Sequence, residues 1–157
     1  MGDQRSYRPG RDFSSYLYEA RSPRITINGV TGRMIRKKTF LTGNPMHLPN
    51  YSGKCDVYFL PGKDGLAIQA KVFSNHRVVK DFDWSHDHRN KDGTFFPKGT
   101  VHVQEYIVTK VRVKENGKWR YKDMFHRKSK EASLMTDADI KKYGDLIHYF
   151  NPNVKFR

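Results

Sequence analysis

Three of the seven histidines in this chain lie within one short stretch, WSHDHRNKDGTFFPKGTVHVQEY, residues 84 to 106. His86 and His88 are one residue apart in a polar segment, and His102 follows in a run that alternates apolar and polar residues. Imidazoles transfer protons near neutral pH and also bind metal ions, so this spacing suits either chemistry. These three side chains are therefore the first candidates for a functional site.

A metal-independent ribonuclease is one chemistry that fits the three histidines. One imidazole would deprotonate a 2′-hydroxyl, a second group would protonate the leaving oxygen, and a cation would stabilise the phosphorane charge. Arg89 and Lys98 are nearby candidate cations. Glu105 lies on the apolar side of its strand, where it is either a strand-end carboxylate or a partly buried general base.

Two other interpretations of the same histidines remain open. His86, His88 and His102 would supply three imidazoles to a zinc ion and leave its fourth position free. Alternatively, the histidines lie in a solvated loop or contact phosphate groups without doing chemistry. We expect no cofactor as the simplest case, with zinc on these three residues as the minority alternative.

The elements around the histidines decide whether the three can meet. In the run TVHVQEYIV, Val101, Val103 and Ile107 share one face, which we expect to be the core side. His102 then emerges on the opposite face together with Gln104 and Tyr106. His86 and His88 follow a strand that ends at Trp84, so the loop and His102 would converge if the two strands pair.

Turn dipeptides predict the sheet that holds these strands. Asn28-Gly29 and Thr31-Gly32 supply the positive backbone angles of tight hairpins, as does Asn116-Gly117 later in the chain. The segment PGKDG separates two further alternating runs. This pattern indicates an antiparallel β-meander of about five to seven strands in a curved sheet.

The C-terminal part of the chain predicts a helix. Thr136 and Asp139 resemble a capping box, and apolar side chains then recur at helical spacing before NPN ends the run. An amphipathic helix packed on an antiparallel sheet gives an α+β fold. We expect one domain spanning residues 1–157, of which residues 1–12 form a flexible basic arm.

Charge points to the class of partner. The 157 residues carry 30 Lys and Arg against 16 Asp and Glu, for a formal net charge of +14 and a pI near 9.9. Such a field attracts polyanions, so we expect the partner to be RNA or DNA, or a protein that carries nucleic acid.

Three clusters of cations are the candidate nucleic-acid contacts. The first lies in the arm, the second in RMIRKKTF and the third in GKWRYKDMFHRKSK. Their members are Arg5, Arg8 and Arg11; Arg33, Arg36, Lys37 and Lys38; and Lys118, Arg120, Lys122, Arg127, Lys128 and Lys130. If the hairpins are adjacent, the clusters would form one groove for a phosphate backbone.

The third cluster has two interpretations. Alternation places Lys118, Arg120 and Lys122 on one strand face and Trp119 and Tyr121 on the other. The aromatic face either packs on a core, with the lysines solvated, or belongs to a binding surface. The cations continue past the strand into a loop, which favours contact with phosphate.

Cysteine content and hydropathy indicate the cellular compartment in which the protein works. Cys55 is the single cysteine, which excludes an internal disulfide and any zinc site built from several cysteines. The sequence contains neither a long apolar run nor an apolar signal segment at its start. We expect a cytoplasmic protein that does not enter a membrane.

The segments VVKDFDWSHDH through PKGTVHVQEY and MTDADIKKYGDLIHYFNPNVKFR resemble small proteins of phages and other mobile elements. Among these are polymorphic-toxin-type domains with H-x-H motifs, and the resemblance covers about half of the chain. Many such toxin domains are ribonucleases, and phage proteins of this size include inhibitors of bacterial defence nucleases. The resemblance implies a functional role only for His86, His88 and His102. The spacer RNKDGTFFPKGTV is longer than the one in the compact P-H-x-H motif of the toxin domains.

Two functional hypotheses follow. The first is a nucleic-acid-binding protein of a phage or mobile element, whose enzyme version is a ribonuclease-type effector that uses the histidines. The second is a non-catalytic, anti-CRISPR-like inhibitor that docks on a ribonucleoprotein nuclease through its basic surface. Replacing the histidines should abolish only the first activity, whereas neutralising the cations should abolish the second.

Overall fold

A computed structural model describes residues 11–38 and 47–157 of the chain. Within these residues the fold is a large β-sheet with one C-terminal helix packed on it, in agreement with the predicted α+β class. The strands are β1 (Tyr18–Ala20), β2 (Ile25–Ile27), β3 (Val30–Lys37), β4 (Val57–Pro61), β5 (Ala67–Ser74), β6 (Arg77–Asp83), β7 (His88–Arg89), β8 (Phe95–Phe96), β9 (His102–Glu115) and β10 (Lys118–Arg127). The helix is α1 (Asp137–Phe150).

The main sheet is mixed, which corrects the prediction of a purely antiparallel meander. Its strands follow the order β1-β3-β4-β5-β6-β9-β10, and β2 pairs with β3 outside this path. The β3–β4 pair is parallel, whereas the other pairs are antiparallel. Strands β7 and β8 form a separate two-stranded hairpin inserted between β6 and β9. From β4 to β10 the neighbouring strands are antiparallel and follow chain order apart from the inserted hairpin, so the meander prediction fails only at the parallel β3–β4 pair and the strands beyond it.

Three of the four predicted turns are present, including PGKDG between β4 and β5, and one is absent. Asn28-Gly29 and Asn116-Gly117 both adopt positive φ angles and connect β2 to β3 and β9 to β10. Thr31-Gly32 instead lies inside β3. A Cβ atom at Gly32 would approach Leu146 of α1 to 2.8 Å, so this glycine permits close packing of the helix on the sheet.

Two hydrophobic clusters lie on opposite faces of the sheet. The cluster under α1 includes Phe59, Phe82 and Val103 from the strands together with Leu146 and Ile147 from the helix. We refer to this side as the helix face. The second cluster lies on the opposite face and consists of Tyr18, Ile35, Leu48, Cys55, Tyr58, Leu60, Phe73 and Val78. Both faces of the central strands are therefore covered.

The helix begins and ends as its sequence predicts. Thr136 is the N-cap, and its Oγ1 accepts a hydrogen bond of 3.1 Å from the backbone N–H of Asp139. Asn151 is the C-cap, and its backbone N–H donates to the carbonyl oxygen of Ile147. In the described part of the chain, no helix is long and apolar enough to cross a membrane.

The predicted basic arm lies mostly outside the described residues, since it includes Arg5 and Arg8. Its last residue is not part of a mobile segment, because Asp12 is 7% exposed. The Asp12 carboxylate accepts a hydrogen bond from the hydroxyl of Tyr58 and lies 3.4 Å from a guanidinium nitrogen of Arg33. This contact anchors the chain from Asp12 onward on the sheet.

Candidate functional site

A row of polar side chains crosses the sheet on the face opposite the helix. Gln69 of β5 pairs with Asp83 of β6, and Asp83 pairs with His102 of β9. Directly opposite residues on neighbouring strands share a face, so the three side chains lie side by side. We call Gln69, Asp83 and His102 the polar row. A parallel row, one pleat along the strands, contains Lys71, Asp81 and Gln104.

The polar row is covered rather than solvated. The side chain of Phe96 in the β7–β8 hairpin lies against His102, with ring centroids 6.0 Å apart. The segment after β10 lies beside β9, where the backbone of Ser133 exchanges two hydrogen bonds with Val103. Asn90 connects the β7–β8 hairpin to the segment after β10 through hydrogen bonds to the backbone N–H and carbonyl oxygen of Ala132. Alternation therefore predicted the direction of His102 but not its burial.

The structure brings the three candidate histidines together. The ring of His102 lies 5.3 Å from that of His86 and 4.9 Å from that of His88, centroid to centroid. His88 and His102 are nearly parallel, with an interplanar angle of 28°. We call these three residues the histidine cluster. The three residues meet because β6, which leads into the loop with His86 and His88, pairs with β9, which carries His102.

Hydrogen bonds fix the tautomer of His88. Asn90 donates from Nδ2 to the Ala132 carbonyl oxygen and accepts at Oδ1 from the Ala132 N–H, which settles the orientation of its amide. Nε2 of His88 lies 3.0 Å from the same Oδ1 and must therefore donate to it. The lone pair of neutral His88 is consequently on Nδ1.

His102 is buried without a hydrogen-bond partner. It is 0% exposed, and within residues 11–38 and 47–157 neither ring nitrogen has a partner. An unpaired buried polar group costs about 1–3 kcal/mol. Burial lowers the pKa of His102 to about 4, against the opposing effect of the nearby Asp83. The ring is therefore neutral at physiological pH.

Asp83 belongs to this site, although the sequence pattern did not single it out. Its side chain is 10% exposed, and Oδ1 lies 3.5 Å from Nδ1 of His86. The same oxygen accepts hydrogen bonds of 2.8 and 2.7 Å from the backbone N–H and hydroxyl of Ser85. The signal was the register, because Asp83 ends the strand that pairs with His102.

The other two proposed catalytic residues lie away from the histidine cluster. Glu105 pairs with Lys80 on the helix face and its side chain is 61% exposed, with one oxygen 3.6 Å from Nζ of Lys128. Glu105 is thus an exposed carboxylate within β9 and not a partly buried one. The guanidinium of Arg89 lies over the ring of Phe95 at 4.8 Å. His102 has no exposed surface, so within the cluster only the exposed His86 and the partly buried His88 are accessible to a phosphodiester.

A second candidate site is formed by the far ends of β9 and β10. Beyond Glu105, β9 pairs within the described residues only with β10, so residues 106–127 form a two-stranded ribbon. Its base still packs on the protein, since Asp123 is buried and bonded to Tyr51 and Arg77. We call residues 106–127 the ribbon. Each of its strands spans ten residues, or roughly 33 Å at strand geometry. No side chain from Val111 to Lys122 is buried.

One face of the ribbon combines exposed aromatic rings with cations. Trp119 is 55% exposed and pairs with Lys114, whereas Tyr121 is 69% exposed and pairs with Arg112. The guanidinium of Arg112 lies 4.6 Å from the centroid of the Trp119 ring. The predicted alternation of Trp119 and Tyr121 against Lys118, Arg120 and Lys122 is present. Trp119 and Tyr121 belong to neither hydrophobic cluster.

Charge along the outer ribbon is nearly all positive. Residues 110–122 contain six Lys or Arg and one acid, Glu115. Glu115 lies on the face opposite Trp119, where it pairs with Arg120 at 2.7 Å and Lys122 at 2.8 Å. Among the described residues, Arg112 and Lys114 have no acidic partner. Sequence analysis missed these two cations because only the register places them beside the aromatic rings.

The other cations predicted to contact nucleic acid lie at the base of the ribbon, after it, or in the N-terminal arm. Arg127 lies at the base of the ribbon, with a guanidinium nitrogen 3.3 Å from Oδ2 of the buried Asp81. Lys128 and Lys130 follow it as exposed residues, and Arg11 is exposed at the other end of the described chain. The arm residues Arg5 and Arg8 lie outside the described residues.

The second cluster does not join the ribbon in one groove. It lies on or directly after β3, and β4, β5, β6 and β9 separate β3 from β10. Five strand spacings correspond to roughly 24 Å along the sheet. Arg33 is also occupied, since it pairs with Asp12 and donates to the carbonyl oxygen of Ser22. Arg36, Lys37 and Lys38 are thus a separate basic surface beside β1.

No family model, curated protein or solved structure matches this chain.

Proposed function

We propose that this protein binds nucleic acid through the ribbon, with a preference for strands whose bases are unpaired. The observation that carries the proposal is the exposed face formed by Trp119, Tyr121, Arg112 and Lys114. Cations without acidic partners can contact phosphate, and exposed aromatic rings can stack on bases. The combination is expected of a single-strand-binding surface.

The shape of the ribbon supports the same proposal. An isolated two-stranded ribbon gains little stability from its own packing, and this one exposes Ile107, Val108, Trp119 and Tyr121. Exposed apolar and aromatic side chains in one region mark an interaction surface. Six cations along residues 110–122 make a polyanion the partner that this surface fits best.

Catalysis does not belong to this proposal. The ribonuclease hypothesis stays a prediction: it needs two groups that reach the 2′-hydroxyl and the leaving oxygen, and of the three histidines only His86 and His88 are accessible. An inhibitor that docks on the nucleic acid of a ribonucleoprotein nuclease would use the same ribbon. Binding to free nucleic acid is accordingly the first property to measure.

The test compares two charge-matched double variants by fluorescence anisotropy with labelled single-stranded RNA, single-stranded DNA and duplex DNA. Arg112→Gln/Lys114→Gln removes two positive charges from the ribbon, and Lys141→Gln/Lys142→Gln removes two from the exposed side of α1. Only the ribbon variant should lose about tenfold or more in affinity at moderate salt. Its slope of log K against log salt should fall by about 1.4 for single strands.

The aromatic contribution is measured separately with Trp119→Ala. Loss of a base-stacking ring costs about 1–3 kcal/mol, and this loss should be larger for single strands than for duplex DNA. Equal losses for the two charge variants would mean that net charge, and not the ribbon, drives binding. If Trp119→Ala still prefers duplex DNA, the ribbon binds by insertion into a groove and not by base stacking.

A further inference from the structure

The polar row contains an imidazole that the protein itself does not satisfy. His102 is fully buried, and within the described residues neither Nδ1 nor Nε2 has a hydrogen-bond partner. Native proteins pair nearly all buried polar side chains, so each exception requires an explanation. A ligand that accepts the lone pair of a ring nitrogen would supply one.

Two further donor groups converge on His102. One ligand atom from each of Asp83, His86 and His102 lies within 4.8 Å of the other two. Nδ1 of His86 is 3.5 Å from Oδ1 of Asp83. Ligands of a tetrahedral ion with bonds of about 2.0–2.1 Å are separated by about 3.3 Å, so this pair is close to coordination distance.

We propose that Asp83, His86 and His102 bind one divalent transition-metal ion of the zinc class. Two imidazoles and one carboxylate suit zinc and its first-row neighbours, whereas magnesium and calcium select oxygen ligands. The His86 side chain is 59% exposed, so the ion is reached from solvent on that side. Three protein ligands leave a coordination position free for water or a small ligand.

Surrounding groups hold the proposed ligands in place. Asp83 accepts two hydrogen bonds from Ser85 at Oδ1, and Gln69 donates to its Oδ2 at 3.3 Å. Outer groups of this kind orient metal ligands and raise metal affinity. His88 stacks on His102 and is itself held by a hydrogen bond to Asn90, so the buried ring packs against an oriented neighbour.

An ion pair without a metal accounts for less of the geometry. Protonated His86 could pair with Asp83, but both nitrogens of His102 would stay unpaired. His102 and Asp83 are also direct register partners in the sheet, which places the imidazole beside the carboxylate regardless of the His86 rotamer. The metal assignment therefore explains all three side chains together.

The test uses the full chain, freed of metal with a chelator and titrated with ZnCl₂ by calorimetry in the absence of nucleic acid. We expect one ion per chain. His86→Ala should weaken zinc binding by more than about tenfold, because loss of an outer group alone already costs 10–100-fold. The matched control is His126→Ala, an exposed histidine of the ribbon, which should bind zinc as the unchanged protein does.

His86 is exposed, so its replacement should leave the fold intact, and circular dichroism checks this directly. Cobalt(II) provides a second readout, since coordination by these ligands gives visible absorption that His86→Ala and Asp83→Asn should remove. Equal zinc affinity in His86→Ala and the unchanged protein would overturn the proposal. Displacement of zinc by equimolar magnesium would overturn it as well, because a nitrogen-rich site discriminates against magnesium.

Discussion

The two ends of strand β9 follow the same alternation but have different neighbours. At the first end, β6 lies on one side and the segment around Ser133 on the other, so even the polar His102 and Gln104 are buried. At the far end β9 has only β10 beside it in the described structure, and the apolar Ile107 and Val108 are exposed.

This difference separates two kinds of functional evidence. Alternation decides which face a side chain occupies, whereas neighbouring segments decide whether that face is covered. A polar residue under cover needs a partner, and His102 without one indicates a ligand. An aromatic residue without cover, such as Trp119, indicates a binding surface.

Matched truncations of two valines give the largest expected effect. Val103 is 6% exposed in the cluster under α1, and Val108 is 43% exposed on the ribbon. Val103→Ala should lower the free energy of unfolding by about 2 kcal/mol, and Val108→Ala should change it by less than about 0.5 kcal/mol. Urea denaturation measures both. Equal costs would mean that the ribbon packs as tightly as the sheet.

A smaller effect is expected from the buried amine of Lys71. Removal from water lowers the pKa of Lys71 from 10.5 to about 8. Between these values the unfolded chain holds the proton more tightly, so the free energy of unfolding rises with pH. The gain should be of the order of 1 kcal/mol between pH 7 and 9.

The control for Lys71 is Lys71→Met, which keeps the length of the side chain but has no titrating group. Stability measured by urea denaturation at several pH values should increase for the unchanged protein relative to this variant. A constant difference between the two would show that the amine is hydrated. It would also mean that water reaches the row of Lys71, Asp81 and Gln104 beside the covered end of β9.

The smallest effect concerns Glu115 on the ribbon. Glu115→Gln releases Arg120 and Lys122 from their ion pairs, which leaves both free to contact phosphate. Affinity for single-stranded nucleic acid should rise about threefold, and the salt dependence should steepen by about 0.7 for each additional contact. Anisotropy titrations at several salt concentrations measure both quantities. Unchanged affinity would indicate that only the aromatic face binds.

Local signals predicted the local elements well. The capping residue Thr136 begins α1, and both Asn-Gly dipeptides form turns with positive φ angles. The turn at Asn75-His76 also has positive φ angles but contains no glycine, so the residue types there predict a turn less clearly. Gly32 was wrongly predicted to lie in a turn. It makes room for Leu146, and the sequence alone does not distinguish such a glycine from a turn glycine.

Long-range features were harder to foresee. The parallel pairing of β3 and β4 follows a long connection, residues 38 to 56, that carries no register signal. Convergence of the three histidines was predicted from the pairing of β6 and β9, and that pairing also adds Asp83. The covers over His102 could not be foreseen, because the Asn90 and Ala132 segments are 42 residues apart.

The most direct test of ribbon binding uses the two tryptophans of the chain. Trp84 is 3% exposed and donates from Nε1 to Ala67, so acrylamide should quench mainly Trp119, which is 55% exposed. Saturating single-stranded oligonucleotide should protect Trp119, reducing acrylamide quenching toward the level seen in Trp119→Phe. Binding that is complete by anisotropy but leaves the quenching unchanged would contradict the account, because the strand would then lie elsewhere.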